Sequence, residues 1–140
     1  MDTPEDLIEV ELARVVIQEK GEQQVLHLRQ RNSERSFSIV IGFSEAAEIN
    51  RKVLGIHSMR PLTHDLLGRV LEKVDWRLVR VVVSDLRDHT FYASLVLAPA
   101  VGDETAPERE VDCRPSDAIC LAVQTHVPIF VKRKVFDIVS

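Results

Sequence analysis

The sequence predicts an α+β domain. It is read as two related halves, each a strand, hairpin turn, strand, strand and helix, joined in a mixed or antiparallel sheet with helices packed on it. Three observations carry that expectation. Apolar residues alternate along several short segments bounded by turn residues, the pattern of strands half-buried on a sheet. Other segments place apolar residues at helical spacing behind serine, threonine or proline starts. The second half also repeats the order of the first. Val15, Val16 and Ile17 stand 66 positions before Val81, Val82 and Val83, and Ser44-Glu45-Ala46 stands 72 before Ser116-Asp117-Ala118. The internal duplication inferred from this places two acidic helix starts in symmetry-related positions.

Residues 1–7 read as an acidic leader and 8–140 as the domain. From Ile8 to Ile17 alternation gives way to an apolar run, as in a strand entering a core; a turn with Gly21 follows, then V-L-H-L-R-Q as the return strand. S-F-S-I-V-I-G-F, from Ser36, is a third strand with Phe37, Ile39 and Ile41 on one face. Ser44 is suited to cap a helix, with Glu45 complementing its positive end. Ala46, Ile49 and Val53 form that helix's apolar face, and Gly55 stops it. Leu62, Leu66, Leu67, Val70, Leu71 and Val74 form the stripe of a second, amphipathic helix. Gly68 inside it costs about 1 kcal/mol against alanine, which close packing at that point would explain. Residues 77–84 and 91–98 form another hairpin and 110–113 a short strand. Residues 114–126 form a helix apolar nearly all round and hence buried, 127–131 a strand, and 135–139 a short closing element.

A chain of 140 residues suggests one domain and buries roughly two-thirds of its unfolded surface. With 45% apolar and 29% charged residues, its composition is ordinary for a globular protein. The longest apolar stretches fall well short of the roughly 20 residues a membrane span needs, and the acidic N-terminus lacks a signal peptide's features. No membrane partner and a cytoplasmic location are expected. Cys113 and Cys120, if on one helix, stand roughly 10 Å apart along its axis, too far for a disulfide; without a C-x-x-C pair there is no zinc ribbon. Both read as buried thiols. The net charge of −4 argues against tight non-specific coating of nucleic acid, yet leaves room for an enzyme that touches a phosphodiester locally.

Two segments stand out: R-P-L-T-H-D-L from Arg60 and R-P-S-D-A-I from Arg114. Proline at a helix start, Thr63 and Ser116 as caps, and Asp65 and Asp117 at positive helix ends are explained by helix chemistry alone. Arg60 and Arg114 oppose the dipole at such ends. A carboxylate partner or an anionic ligand explains them better, because the guanidinium's planar fork matches either. An Arg–Asp pair stapling the two halves is the structural alternative. His64, beside Asp65, has the chemistry to move a proton or bind a metal, although neighbours on a helix point about 100° apart and need not bond each other. Glu45, Asp65, Asp112 and Asp117 fall at strand ends or helix starts. Two or three carboxylates brought together hold Mg²⁺ or Mn²⁺, which suits phosphodiester hydrolysis. A Gly-rich phosphate loop, G-x-S-x-G, H-E-x-x-H and a Cys–His nucleophile pair are absent.

I-V-I-G-F-S-E-A (39–46), R-P-L-T-H-D-L-L (60–67), F-Y-A-S-L (91–95) and D-C-R-P-S-D-A-I-C-L-A (112–122), followed by V-P-I-F-V, resemble the bifunctional nuclease domain over roughly residues 8–139. Where that family usually reads D-A-R-P-S-D-A-I-A-L-A, this chain carries Cys113 and Cys120 in place of alanines. The resemblance implies an α+β fold, a homodimer or larger homo-oligomer, and hydrolysis of DNA and RNA. Its motif positions here are Glu45, Arg60, Thr63, His64, Asp65, Asp112, Arg114, Ser116 and Asp117. The expectation is therefore a cytoplasmic, metal-assisted nuclease of low sequence specificity, with nucleic acid as substrate and no organic cofactor. Asp65, Asp112, Asp117 and Glu45 would hold a divalent Mg or Mn ion, and His64 would transfer protons. Arg60 and Arg114 would steady the phosphate, with Thr63 and Ser116 beside them. The rival is a non-enzymatic ligand-sensing or protein-interaction module that uses the same motifs as a staple.

Overall fold

The computed structural model describes residues 6–18, 23–102 and 105–140. Most of the expected acidic leader and the turn around Gly21 lie outside that set. The described chain is α+β. In order it runs β1 (Leu7–Val16), β2 (Gln24–Gln30), β3 (Ser36–Ile41), α1 (Phe43–Val53), α2 (Thr63–Lys73), β4 (Trp76–Arg87), β5 (Thr90–Pro99), β6 (Arg109–Cys113), α3 (Pro115–Thr125), β7 (Ile129–Lys132) and α4 (Arg133–Val139).

The strands form one mixed sheet in the order β3-β2-β1-β7-β4-β5-β6. Only the β4–β7 pairing is parallel; the others are antiparallel. β7 is the short central strand, and three antiparallel strands flank it on each side. Each trio precedes a helix, β1-β2-β3-α1 and β4-β5-β6-α3, so the halves share an element order. That order alone does not establish a duplication.

The sheet curls strongly. Phe37 on β3 stacks on Phe91 of β5 with ring centroids 5.7 Å apart, although four strands separate them in the sheet order. Phe136 of α4 meets Phe37 edge-on at 5.5 Å. Within this curl lies α3, with Ala118, Ile119, Cys120, Leu121 and Ala122 buried against Leu26, Leu28, Val81, Val83 and Val131. A helix apolar on nearly every side needs such enclosure, because exposing it forfeits about 25 cal/mol for each Å² of apolar surface.

The helix starts differ from the expectation by one or two residues. Ser44, Thr63 and Ser116 do not cap; the caps are Gly42, Leu62 and Arg114, all in extended conformation and without a side-chain cap bond. In α3 the reason is Pro115. Its fixed φ and missing N–H suit the first helical position, which moves the cap back to Arg114. In α2 the Leu62 N–H is taken by Asp65 Oδ2 at 2.9 Å, so the acid three residues on replaces a hydroxyl cap.

The apolar stripe of α2 also departs from a core-facing role. None of the helix's residues is buried, and Leu62, Leu66, Leu67, Val70 and Val74 are 36–57% exposed. The face turned to the body carries His64, Asp65, Gly68 and Leu71 instead. Gly68 leaves room there for Gln124: a Cβ would lie 2.9 Å from Gln124 Nε2, the tip of a flexible side chain that donates to the His64 carbonyl at 3.0 Å and would have to shift.

Candidate functional site

Three helices begin close together, and each carries an acid at its third position: Glu45 in α1, Asp65 in α2 and Asp117 in α3. Acids are favoured there by the unpaired N–H groups of the first turn. The three acids then diverge in their partners, and that divergence defines the site.

Asp117 is the hub. Arg114 donates to it through Nε (3.1 Å to Oδ2) and Nη2 (3.2 Å to Oδ1). Arg114 Nη1 donates to Glu45 Oε1 at 3.3 Å, which ties α3 to α1. From α2, His64 Nε2 lies 3.0 Å from Asp117 Oδ1. Burial by itself raises the Asp117 pKa, but bonds from Arg114 and His64, with their charges, outweigh it and hold the carboxyl below the usual carboxylate range. An ionised carboxylate only accepts, so His64 Nε2 carries the proton and donates. Nδ1 is left without a partner among the described residues.

This chain of contacts borders an open groove of about 590 Å³ between the starts of α1, α2 and α3, whose walls include Glu45, Thr63, His64, Leu66, Arg114 and Asp117. A second hollow of about 430 Å³ shares Glu45 and Arg114 with it and adds Ser116, His89 and Phe91. Arg114 is 64% exposed and stands between the two. Three of its five N–H donors are used, which leaves two for a ligand. Gly42 clears space for this arrangement, since a Cβ there would collide with the Glu45 carboxylate.

The remaining expected residues are placed differently. Asp65 turns away from the groove and is bonded to Lys52 Nζ, with Arg51 Nη2 at 3.6 Å. The Lys52 bond, then the Leu62 N–H, hold its pKa low. Asp112 is exposed on β6, opposite Ser94. Arg60 is exposed, two residues before Leu62 of the groove wall, and its guanidinium has no partner among the described residues. Ser116 is buried at 6% exposure and lines the second hollow. The four carboxylates therefore do not fit a shared Mg²⁺ or Mn²⁺ site as they stand. Asp65 and Asp112 face elsewhere, and a guanidinium lies between the other two.

Sequence reasoning missed Glu48, Arg51 and Lys52. Glu48 accepts from Arg51 (2.8 and 3.1 Å), and Arg51 and Lys52 together bridge Glu48 to Asp65. Their signal was the spacing on α1, where Glu48, Arg51 and Lys52 recur three and four residues apart on one face. Cys120 is buried as expected and Cys113 only half-buried; burial pushes both thiols up to about 12, so in the metal-free chain both carry their protons at neutral pH.

The lowered values of Asp65 and Asp117 give a direct expectation. A carboxylate whose folded value lies below its unfolded value, about 3.9 for Asp, contributes stability above that pH. The contribution is lost as pH falls through the folded value. Urea unfolding at a series of pH values shows a steep acid limb below about pH 4, and Asp117→Asn makes that limb shallower while lowering stability at pH 7. A limb unchanged by Asp117→Asn contradicts the network.

With fold and groove defined, the class can be stated: residues 26–140 match the bifunctional nuclease domain, and the chain belongs to that family. An uncharacterized protein of Mycobacterium tuberculosis, with the same figures in strains CDC 1551 and H37Rv, is 35% identical over 127 residues, covering 91% of this chain and 73% of that protein. Bifunctional nuclease 2 of Oryza sativa subsp. japonica is 29% identical over 118 residues, 84% of this chain and 36% of the rice protein.

Proposed function

We propose that the protein is a nuclease that cleaves phosphodiester bonds of DNA and RNA with low sequence specificity, and that the groove at the helix starts is its site. The observation carrying this reading is the contact chain Glu45–Arg114–Asp117–His64 laid along an open, water-reachable groove. Asp117 holds the proton on Nε2 and so leaves a lone pair on Nδ1, which takes a proton from the attacking water. The two free N–H donors of Arg114 bind a phosphate oxygen and offset the charge that builds there. Thr63 and Ser116 add hydroxyls along the walls, and Arg60 supplies a second cation at the approach. An open groove admits a polymer without reading its bases. Family membership and the name of the rice relative support the reaction class. No helix among the described residues is long and apolar enough to cross a membrane, and the two free thiols suit the cytosol we assign it.

The test is cleavage of single- and double-stranded DNA and RNA by the purified chain, with Mg²⁺, Mn²⁺ or chelator, beside Arg114→Ala. Cleavage of both nucleic acids is expected, reduced by about 10²–10³-fold in the variant. Equal product from both preparations points to a contaminating nuclease. One observation favours the staple reading: Arg114 already pairs with both Glu45 and Asp117. On that reading Arg114→Ala lowers stability and no cleavage depends on it.

A second copy of the chain is the occupant we assign to the exposed stripe of α2. A two-fold pairing lays Leu62, Leu66, Leu67, Val70 and Val74 against themselves and covers both faces at once, as closed homodimers do. Leu66→Glu combined with Val70→Glu is expected to lower the solution mass in light scattering from dimer to monomer. A wild-type chain that stays monomeric at high micromolar concentration removes this assignment.

A further inference from the structure

Beneath the groove, Glu48 of α1, His64 of α2 and Cys120 of α3 bring a carboxylate oxygen, a ring nitrogen and a sulfur within 4.8 Å of one another. It is the one such group of three or more metal-capable side chains among the described residues. Cys120 is 1% exposed, and Glu48 and His64 are half-buried on the groove wall. We propose that these three residues bind a thiophilic divalent metal ion, of which Zn²⁺ is the type.

Four features argue for it. The donor set is one carboxylate, one imidazole and one thiolate, the mixture that zinc takes up and that Mg²⁺ avoids. Both half-buried ligands are held from behind. Asp117 accepts from His64 Nε2 at 3.0 Å, a carboxylate–histidine arrangement that leaves Nδ1 for the ion; Arg51 fixes Glu48 with bonds of 2.8 and 3.1 Å. Carboxylate and thiolate bring two negative charges to a divalent ion; Arg51 also pairs with Glu48, and Lys52, 3.9 Å from the same carboxylate, is bonded more closely to Asp65. Three ligands beside an open groove leave a fourth position for water, the arrangement of exchangeable rather than sealed zinc sites. Binding exchanges the Cys120 S–H proton for the S–metal bond, and the proton leaves to solvent. The ion also occupies the nitrogen that the proposed hydrolysis uses as its base, so this site and that chemistry compete for His64.

The test needs no activity measurement and therefore stands or falls apart from the nuclease reading. The full chain, reduced and stripped of metal, is titrated with Co²⁺ as a spectroscopic stand-in and with Zn²⁺ against a chromophoric chelator. One ion per chain is expected, with a sulfur-to-cobalt charge-transfer band. That band is absent in Cys120→Ala, and Zn²⁺ affinity falls by about 10–100-fold in Arg51→Met, whose effect passes through Glu48. Circular dichroism checks that the variants are folded. If Cys120→Ala does not fold, Cys120→Ser serves, and Zn²⁺ raises the melting temperature of the parent chain but not of the serine variant. Cobalt binding without a thiolate band, or Zn²⁺ affinity equal in parent and Cys120 variants, overturns the assignment.

Discussion

His64→Ala lowers nuclease turnover by about 10²–10⁴-fold, the usual worth of a positioned proton-transfer group. Stability should change little, by about 1 kcal/mol, because Asp117 keeps both of its Arg114 bonds after the imidazole is removed. Asp117→Asn falls in the same range for a different reason. An asparagine amide both donates and accepts, so it no longer dictates which ring nitrogen carries the proton. The two residues act as one unit, and the double variant should be no slower than the slower single variant. Single-turnover cleavage of a defined oligonucleotide measures this. Wild-type rates in both single variants, from preparations with matched circular dichroism, would place the chemistry elsewhere.

Asp65→Ala produces a large loss of stability and only an indirect loss of activity. Lys52 is 10% exposed and Arg51 17%, and Asp65 is the carboxylate that Lys52 bonds directly. Removing it leaves two largely buried cations to share Glu48 and frees the Leu62 N–H. Breaking a fully buried pair costs about 3–5 kcal/mol. Asp65 is a quarter exposed, so the cost here is about 2–4 kcal/mol with the lost cap included. The urea midpoint should fall with the slope unchanged. If Asp65 instead holds a metal ion, the opposite pattern appears: intact stability and turnover lost at every temperature.

Local pattern was the legible part of this molecule. Alternation in 8–16, 25–30 and 91–98 marked strands, and the apolar run of 117–122 marked a buried helix, because period and burial are written residue by residue. The motif pair at Arg60 and Arg114 pointed correctly to helix starts, and His64, Arg114, Asp117 and Glu45 do meet. What the sequence withheld was direction. Asp65 and His64 are neighbours that leave α2 about 100° apart, so one faces Lys52 and the other Asp117. Nothing local reveals which partner lies on which side. The same blindness hid the outward turn of the α2 stripe, since amphipathicity reports that a face is apolar and not what covers it. The caps were misplaced because Pro115 and the Asp65 carboxylate took over work that hydroxyls perform elsewhere.

The contact from Glu45 to Arg114 closes 69 residues of chain and that from His64 to Asp117 closes 53. Such closures form late, after local turns and hairpins are in place. On the nuclease reading, turnover is therefore the last property a refolding chain regains: the far-ultraviolet signal should recover first and cleavage afterwards. The interval between the two times the docking of three helices onto one another.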